Sequence, residues 1–346
     1  MHTPTDTNDH LATVSFALLQ DWINALQSIC PPRQLAALLD QSGIGAMHSI
    51  DLGRISHHQF VQLYQLAAVS TGDEMMGLWS RPIRAGALKH LCTVMMGASS
   101  MRGALFRFTT FWNLLLDDFR LELTEDATGL HVDLIPITDQ SPQRFGHMLL
   151  LKLTHGITSW LAHRELPLIS IEFPFKRPSF AEDYAILFPA PIYFDSNHAR
   201  ISFEPSVAQL SINRTDVELN AFLNRAPRDW IFTTFREHSL PLRVRSLIAP
   251  LQEGGDDLQS VASALYMTPR TLIRRLKADG TSFQSIKDGL RRDIAILALS
   301  QHSKSIETIS QSVGFSSVAT FHRAFKRWTG LTPSAYRKAQ LGPKPN

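Results

Sequence analysis

Near the C-terminus of this 346-residue chain, Arg270, Arg274 and Lys277 recur at helical spacing, and Arg323 and Lys326 repeat the arrangement further along. A guanidinium carries a planar fork of donors that fits guanine O6 and N7 in a DNA major groove, at about 1–3 kcal/mol of discrimination per bidentate pair. The same cations can instead neutralise phosphates, which places a protein on the duplex without reading sequence. Both roles stay open for Arg270, Arg274 and Arg323. Ile273 shares the first cationic face and can touch a thymine methyl, an apolar form of base reading. Thr268 precedes Pro269, so its hydroxyl can cap a helix whose first position the proline fills, and it can also bond a phosphate. On the second face Ser317, Ala319 and His322 join Arg323 and Lys326 as candidate contacts. Val318 and Ala319 leave its tip short of polar readers, so this helix is expected to contribute mainly phosphate contacts.

These residues need a rigid backing. Leu272 and Leu276 in the first copy, and Phe321 and Phe325 in the second, are spaced i, i+4, which puts each pair on one side of a helix, opposite the cations. In each copy, Leu258 to Lys277 and Ile306 to Lys326, a short apolar helix leads through a tight turn into the cationic helix. A helix held from behind by large apolar residues with a cationic front suits insertion into a major groove. Phe283 to Ser300 joins the copies as a helix about 27 Å long at 1.5 Å per residue. That approaches one turn of B-DNA, about 34 Å, and bending the DNA would absorb the difference at about 1–6 kcal/mol.

The stretch from Val244 to Arg337 resembles the DNA-binding domain of the AraC/XylS family of bacterial transcription regulators. The residues that carry the resemblance are Val261-Ala262, Met267-Thr268-Pro269-Arg270-Thr271-Leu272, Gly314-Phe315, Phe321 through Gly330, and Leu331-Thr332-Pro333 with Tyr336-Arg337. Ile273 stands where members often have Gln, and Tyr266 stands in a turn where Gly is common. The resemblance implies sequence-specific binding to promoter DNA, a homodimer, and RNA polymerase as a further candidate partner in activation.

Charge is divided unevenly. Residues 243–346 hold 16 Lys+Arg against 7 Asp+Glu, a net +9, so residues 1–242 carry −6 of the chain's +3. The C-terminal part thus has the electrostatic footprint of a polyanion binder. Cys30 and Cys92 stand far apart, too few for a disulfide framework or a thiolate metal site. His57-His58 make a poor chelate, and His147, His155 and His163 drift around a helix rather than sharing one side. No metal or other cofactor is expected. No phosphate loop, dinucleotide fingerprint or serine-hydrolase elbow is present. The pairs Asp117-Asp118 and Glu182-Asp183 read as solvated rather than catalytic, so no enzymatic activity is expected. No signal peptide or membrane-length apolar run opens or interrupts the sequence, and a cytoplasmic, nucleoid-associated protein is expected.

Upstream, helical patterns over 14–80, 88–96 and 103–116 give way to period-two alternation at Phe119–Leu123 and Leu130–Leu134, a hairpin. A long apolar helix from Met148 to His163 and strands at 168–173, 192–194 and 200–203 follow. Val217 to Phe235 reads as helical with a break at Pro227. From about 15 to 235 this half resembles the arabinose-binding-type, ornithine-regulator-like regulatory domain, on Phe173-Pro174-Phe175-Lys176-Arg177-Pro178, Leu187 through Phe194 and Asn197-His198-Ala199. The aromatics of Phe106–Trp112, with Phe173, Phe188, Tyr193 and Phe203, either line a cavity for a small apolar effector or pack as core. The expected organisation is an α+β regulatory and dimerisation domain at 14–236, a linker at 237–243, and an all-α DNA-binding domain at 244–340 with two helix-turn-helix units. The leading function is a sequence-specific transcription regulator. A low-specificity nucleoid-type DNA binder is the alternative.

Overall fold

The computed structural model describes residues 13–45, 54–137, 143–232, 240–248, 257–278, 281–300 and 304–340. The chain divides into two compact units. One comprises Leu18–Leu35 and Tyr64–Arg236; the other comprises Met1–Ala17, Ala36–Leu63 and Glu237–Asn346. The sequence placed one boundary at 237–243, whereas the second unit also takes in two earlier segments.

Helices α1 (Phe16–Ile29), α2 (Pro32–Gln41) and α3 (His57–Thr71) come first; in the first unit, α4 (Ala87–Met96) and α5 (Met101–Leu115) then precede the hairpin of β3 (Phe119–Glu125) and β4 (Leu130–Pro136). With β5 (Leu168–Glu172), β6 (Ile192–Tyr193) and β7 (Ala199–Phe203) they build a five-stranded sheet in the order β3-β4-β7-β5-β6, antiparallel except for β5 with β6. Leu130, Val132 and Leu134 are fully buried, as are Ile201 and Phe203. The alternate side chains of β4 are polar and paired: His131 meets the Ser202 hydroxyl, and Asp133 accepts from Arg200 and His198. The α+β expectation therefore holds, with every predicted strand in place. α6 (Arg144–Leu161) is buried from Phe145 to its end, as its apolar run requires. Gly156 lets it approach α9 (Arg228–Ile231), because a Cβ there would lie 2.3 Å from the Trp230 carbonyl. The predicted break at Pro227 separates α8 (Asp216–Asn224) from α9.

Two details correct the sequence reading. Residues 181–187 form a helix, α7 (Ala181–Leu187), and Asp183 in its first turn is buried rather than solvated. Phe106 and Tyr193, offered as cavity lining, are 61% and 55% exposed, while Phe173 packs against Tyr184 and Phe188 in an aromatic cluster.

The second unit holds seven C-terminal helices among the described residues. These are α10 (Leu240–Ile248), α11 (Leu258–Ala264), α12 (Pro269–Ala278), α13 (Phe283–Ser300), α14 (Ile306–Ser312), α15 (Val318–Thr329) and α16 (Pro333–Gln340). Residues 240–243, expected as linker, open α10, with Pro241 in its first turn where no intrahelical N–H is required; residues 237–239 lie outside the described residues. α13 matches its predicted bounds and serves both halves. Its Ile286 and Leu290 share a core with Val261, Leu265, Leu272 and Leu276.

An element the sequence did not announce completes this unit. β1 (Thr13–Ser15) pairs antiparallel with β2 (Arg54–Ser56), and β2 lies against α13. The Thr13 hydroxyl donates to Asp293 of α13 and accepts from Arg54, whose guanidinium also reaches the Thr13 carbonyl at 2.7 Å. The Tyr336 hydroxyl of α16 donates to the Arg54 carbonyl at 2.9 Å. Asp293 is 1% exposed and pairs with Arg245 at 2.8 Å and Arg292 at 3.1 Å. Burial works against its charge, but Arg292, Arg245, Arg54 and the Thr13 hydroxyl together hold its carboxyl below the usual carboxylate range.

Asp293→Asn leaves these guanidinium groups buried without their counter-charge, and breaking a buried pair in this way costs about 3–5 kcal/mol. The expected outcome is a urea midpoint lowered accordingly at neutral pH. Because the folded-state pKa is depressed, the stabilisation is complete above the ordinary value of 3.8 and is lost as pH falls through the lower folded value. The Asn variant should lack that acid-dependent loss. Parental stability in the variant at pH 7 would remove Asp293 from this role.

Candidate nucleic-acid interface

The first recognition element is built on α11 and α12. Asp257 caps α11 by accepting from the Gln259 and Ser260 amides. The chain then turns through Tyr266, at φ 56. That left-handed conformation suits glycine and strains an aromatic residue, yet the Tyr266 side chain is 97% exposed. The Thr268 hydroxyl accepts from the Thr271 amide at 3.2 Å and meets the Thr271 hydroxyl at 2.9 Å, so Thr268 caps α12 as its place before Pro269 suggests. Leu272 and Leu276 are fully buried. Arg270, Arg274 and Lys277 are exposed on the other side, with Ile273 51% exposed between them.

The second element repeats the design. The Ser305 hydroxyl caps α14, and Gly314 turns the chain at φ 76. A Cβ at Gly314 would lie 3.0 Å from the Arg291 guanidinium, which also sits over the Phe315 ring at 5.4 Å. This turn is thereby fixed against α13. Ser317 caps α15 by accepting from the Thr320 amide, and its hydroxyl meets that of Thr320 at 3.0 Å. Phe321 and Phe325 are fully buried, with ring centroids 5.6 Å apart, and Phe325 meets Tyr336 edge-on. Ala319, Arg323 and Lys326 are exposed together, whereas His322 is half-buried with its ring edge-on to Phe321.

Arg270, Ile273, Arg274 and Lys277 thus share one solvent-facing side of α12, and Ala319, Arg323 and Lys326 one of α15, with Thr268 and Ser317 exposed at the caps and His322 partly withdrawn. Thr320 joins this side although the spacing of the cations does not single it out. It is exposed at the tip of α15 and supplies a hydroxyl beside Ala319. The signal available was the repeated Ser/Thr-x-x-Ser/Thr pattern, whose paired hydroxyls also open α13 at Ser282 and Ser285. Arg327 is also exposed and lies 3.4 Å from Asp288. The histidines considered for a metal are not brought together. His147 bonds the Gln143 carbonyl, His155 bonds the Leu166 carbonyl within the core, and His163 is exposed. Burial holds the His147 imidazole down to about 4 and that of His155 well below its ordinary range.

Two family matches bear on this geometry. The helix-turn-helix domain family matches residues 261–339, which contain both recognition elements. The family described as the arabinose-binding domain of the AraC transcription regulator, N-terminal, matches residues 33–212, more than half of the chain. The chain belongs to the AraC family of transcription regulators. As an AraC-family protein it is 24% identical over 291 residues to the ornithine utilization regulator of Pseudomonas aeruginosa, covering 83% of this chain and 85% of that one. The HTH-type transcriptional regulator VqsM of the same organism is 23% identical over 222 residues, covering 61% and 65%. The urease operon transcriptional activator of Escherichia coli is 40% identical over 80 residues, covering 23% of this chain and 27% of that one. These relatives are transcription regulators rather than enzymes. Among the described residues of this AraC-family chain, no helix is long and apolar enough to cross a membrane.

Glycine adopts the Tyr266 backbone conformation without the Cβ penalty, worth about 1 kcal/mol here once glycine's own chain entropy is counted. Tyr266→Gly should therefore raise the thermal unfolding midpoint; a lowered midpoint would mean that the exposed ring stabilises the fold. Thr268→Ala and Ser317→Ala should each cost about 1 kcal/mol by loss of a cap, read from the same unfolding curves.

Proposed function

We propose that this AraC-family regulator recognises specific promoter operators by laying α12 and α15 into successive major grooves on one face of the DNA. The observation that carries the reading is the pair of exposed cationic helix faces, each backed by two fully buried large apolar residues, with α12 sharing a core with α13, and with α14, which leads into α15, also packed on α13. In this reading Arg270 and Arg274 read bases, Ile273 meets a thymine methyl, and Thr268 and Lys277 hold phosphates. Arg323, Lys326, Ser317 and His322 position α15, with Ala319 at closest approach. Residues 14–236, apart from the segments that complete the second unit, serve regulation and dimerisation, and 240–340, braced by the β1–β2 ribbon, bind DNA. A homodimer would occupy four major-groove segments, as paired direct or inverted half-sites, in the cytoplasm and at the nucleoid, and would act on RNA polymerase.

A small apolar effector is part of the proposal. Among the described residues, the buried Tyr184 hydroxyl has no hydrogen-bond partner, and it lies beside Phe173, Phe175, Phe180 and Phe194. A ligand with an apolar body and one polar atom would complement that cluster. Screening such molecules by thermal shift and DNA affinity tests this part; no change with any of them counts against it.

The alternative, a low-specificity binder, is favoured by Ala319 and the neighbouring Val318 at the tip of α15, which offer no base-edge hydrogen bonds. Selection of genomic fragments by the purified full-length protein, with Arg274→Ala in parallel, separates the two. The expected result is a shared motif of half-sites about 10–11 base pairs apart, lost or relaxed in the variant by about 1–3 kcal/mol. Enrichment without a motif, reduced equally by salt for both proteins, selects the low-specificity reading.

A further inference from the structure

Among the described residues, two large apolar side chains of α5 lie open on its outer side, beside exposed Arg102 and Asn113. Phe106 is 61% exposed and Leu114 73% exposed, and Val94 of the neighbouring α4 is 44% exposed. These side chains are not scattered. Phe106 stands four residues before Thr110 and Leu114 four after it, about 6 Å along the axis on either side. Thr110 between them is small and exposed, and Gly103 continues the same stripe toward the N-terminus. A large–small–large order centred on one residue is self-complementary. Turned about a twofold axis through Thr110, Phe106 of one helix meets Leu114 of the other at both ends, and the two threonines face each other at the crossing.

Charge points the same way. A helix favours anions at its N-terminal end and cations at its C-terminal end, but here Arg102 lies in the first turn and Asp117 and Asp118 follow the last. Within one copy that order opposes the helix dipole. Between antiparallel copies it puts Arg102 beside Asp117 of the second copy at each end. Both groups have partners of their own. Arg102 bonds Glu125 at 2.7 Å, and Asp117 lies 3.3 Å from Arg81. Both nevertheless stay open, at 58% and 64% side-chain exposure. The other nearby charges are Asp118, which accepts from Ser80, Arg107, which donates to the Val94 carbonyl, and exposed Lys89 on α4.

We infer that α5 is the surface through which two copies of this chain pair, antiparallel about an axis at Thr110. The inference rests on the dimer reading above and names its contact. An isologous C2 interface needs a patch that complements itself, and α5 supplies one in both shape and charge.

The test uses full-length Phe106→Cys and Leu114→Cys, differently tagged and co-expressed. The natural Cys30 and Cys92 are both buried. Antiparallel pairing brings position 106 of one copy to position 114 of the other, while two copies of position 106 stand about 12 Å apart along the axis. A thiol cross-linker shorter than that offset should join the two variants to each other and leave each variant alone uncoupled. Self-coupling of each single variant, or no coupling at all, overturns the arrangement. Phe106→Glu with Leu114→Glu should halve the sedimenting mass while binding to one half-site persists. If the parent sediments as a monomer on and off DNA, the dimer reading itself fails. If the parent is a dimer and the glutamate variant remains one, α5 alone is ruled out as the contact.

Discussion

Asp293 is the charge on which the DNA-binding unit depends. It stands near the middle of α13, the helix shared by both recognition elements, at a position that its neighbours Ile286, Leu290 and Ile296 mark as a buried face. A carboxylate there is costly unless its lone pairs are filled. Arg245 comes from α10, Arg292 from the preceding residue of α13, and Thr13, itself held by Arg54, from the β1–β2 ribbon. Satisfying one buried charge therefore ties the first helix of the unit, the central strut and the ribbon at one point. Tyr336 extends the tie to α16 through the Arg54 carbonyl. The two recognition helices inherit their setting from a strut fixed in this way.

Much of this was legible in residue order because it is local. The pairs Leu272/Leu276 and Phe321/Phe325 declare their helices by spacing alone, and the cations opposite declare the exposed sides. The β3–β4 hairpin and the buried length of α6 were equally plain, since alternation and apolar run length are properties of a few consecutive residues. What escaped was non-local or short. Strands of three residues, Thr13–Ser15 and Arg54–Ser56, have no usable period, and their partners on α13 and α16 lie at the other end of the chain. α7 was hidden by the Pro-rich flanks at 173–178 and 189–191. One clue to the tie was present: Asp293 occupies an apolar position of α13 in Leu-Arg-Arg-Asp-Ile-Ala-Ile, where a carboxylate needs a reason.

The recognition elements are alike in backbone and unlike in chemistry. α12 presents two guanidinium groups one turn apart around Ile273, whereas α15 presents small residues at its tip, with the hydroxyls of Ser317 and Thr320 already bonded to each other. A close-packed, poorly donating tip can approach a groove floor nearer than an arginine-bearing one. The division of labour suggested is chemical reading by α12 and close steric fit by α15, with Arg323 and Lys326 on the phosphates.

The β1–β2 ribbon also sets an order of events during synthesis. Thr13 and Asp293 are 280 residues apart, which at about 5–20 residues per second is roughly 14–56 s of translation. The segments of the first unit are complete once Arg236 has been made. The ribbon's first strand, made earlier still, must wait for α13 and then α16 before its polar groups find their partners. A nascent chain can thus assemble the first unit well before it can complete the unit that grips DNA, and the last contacts made are those that hold the strut. A finished reader then requires that the ribbon and α16 have both been translated.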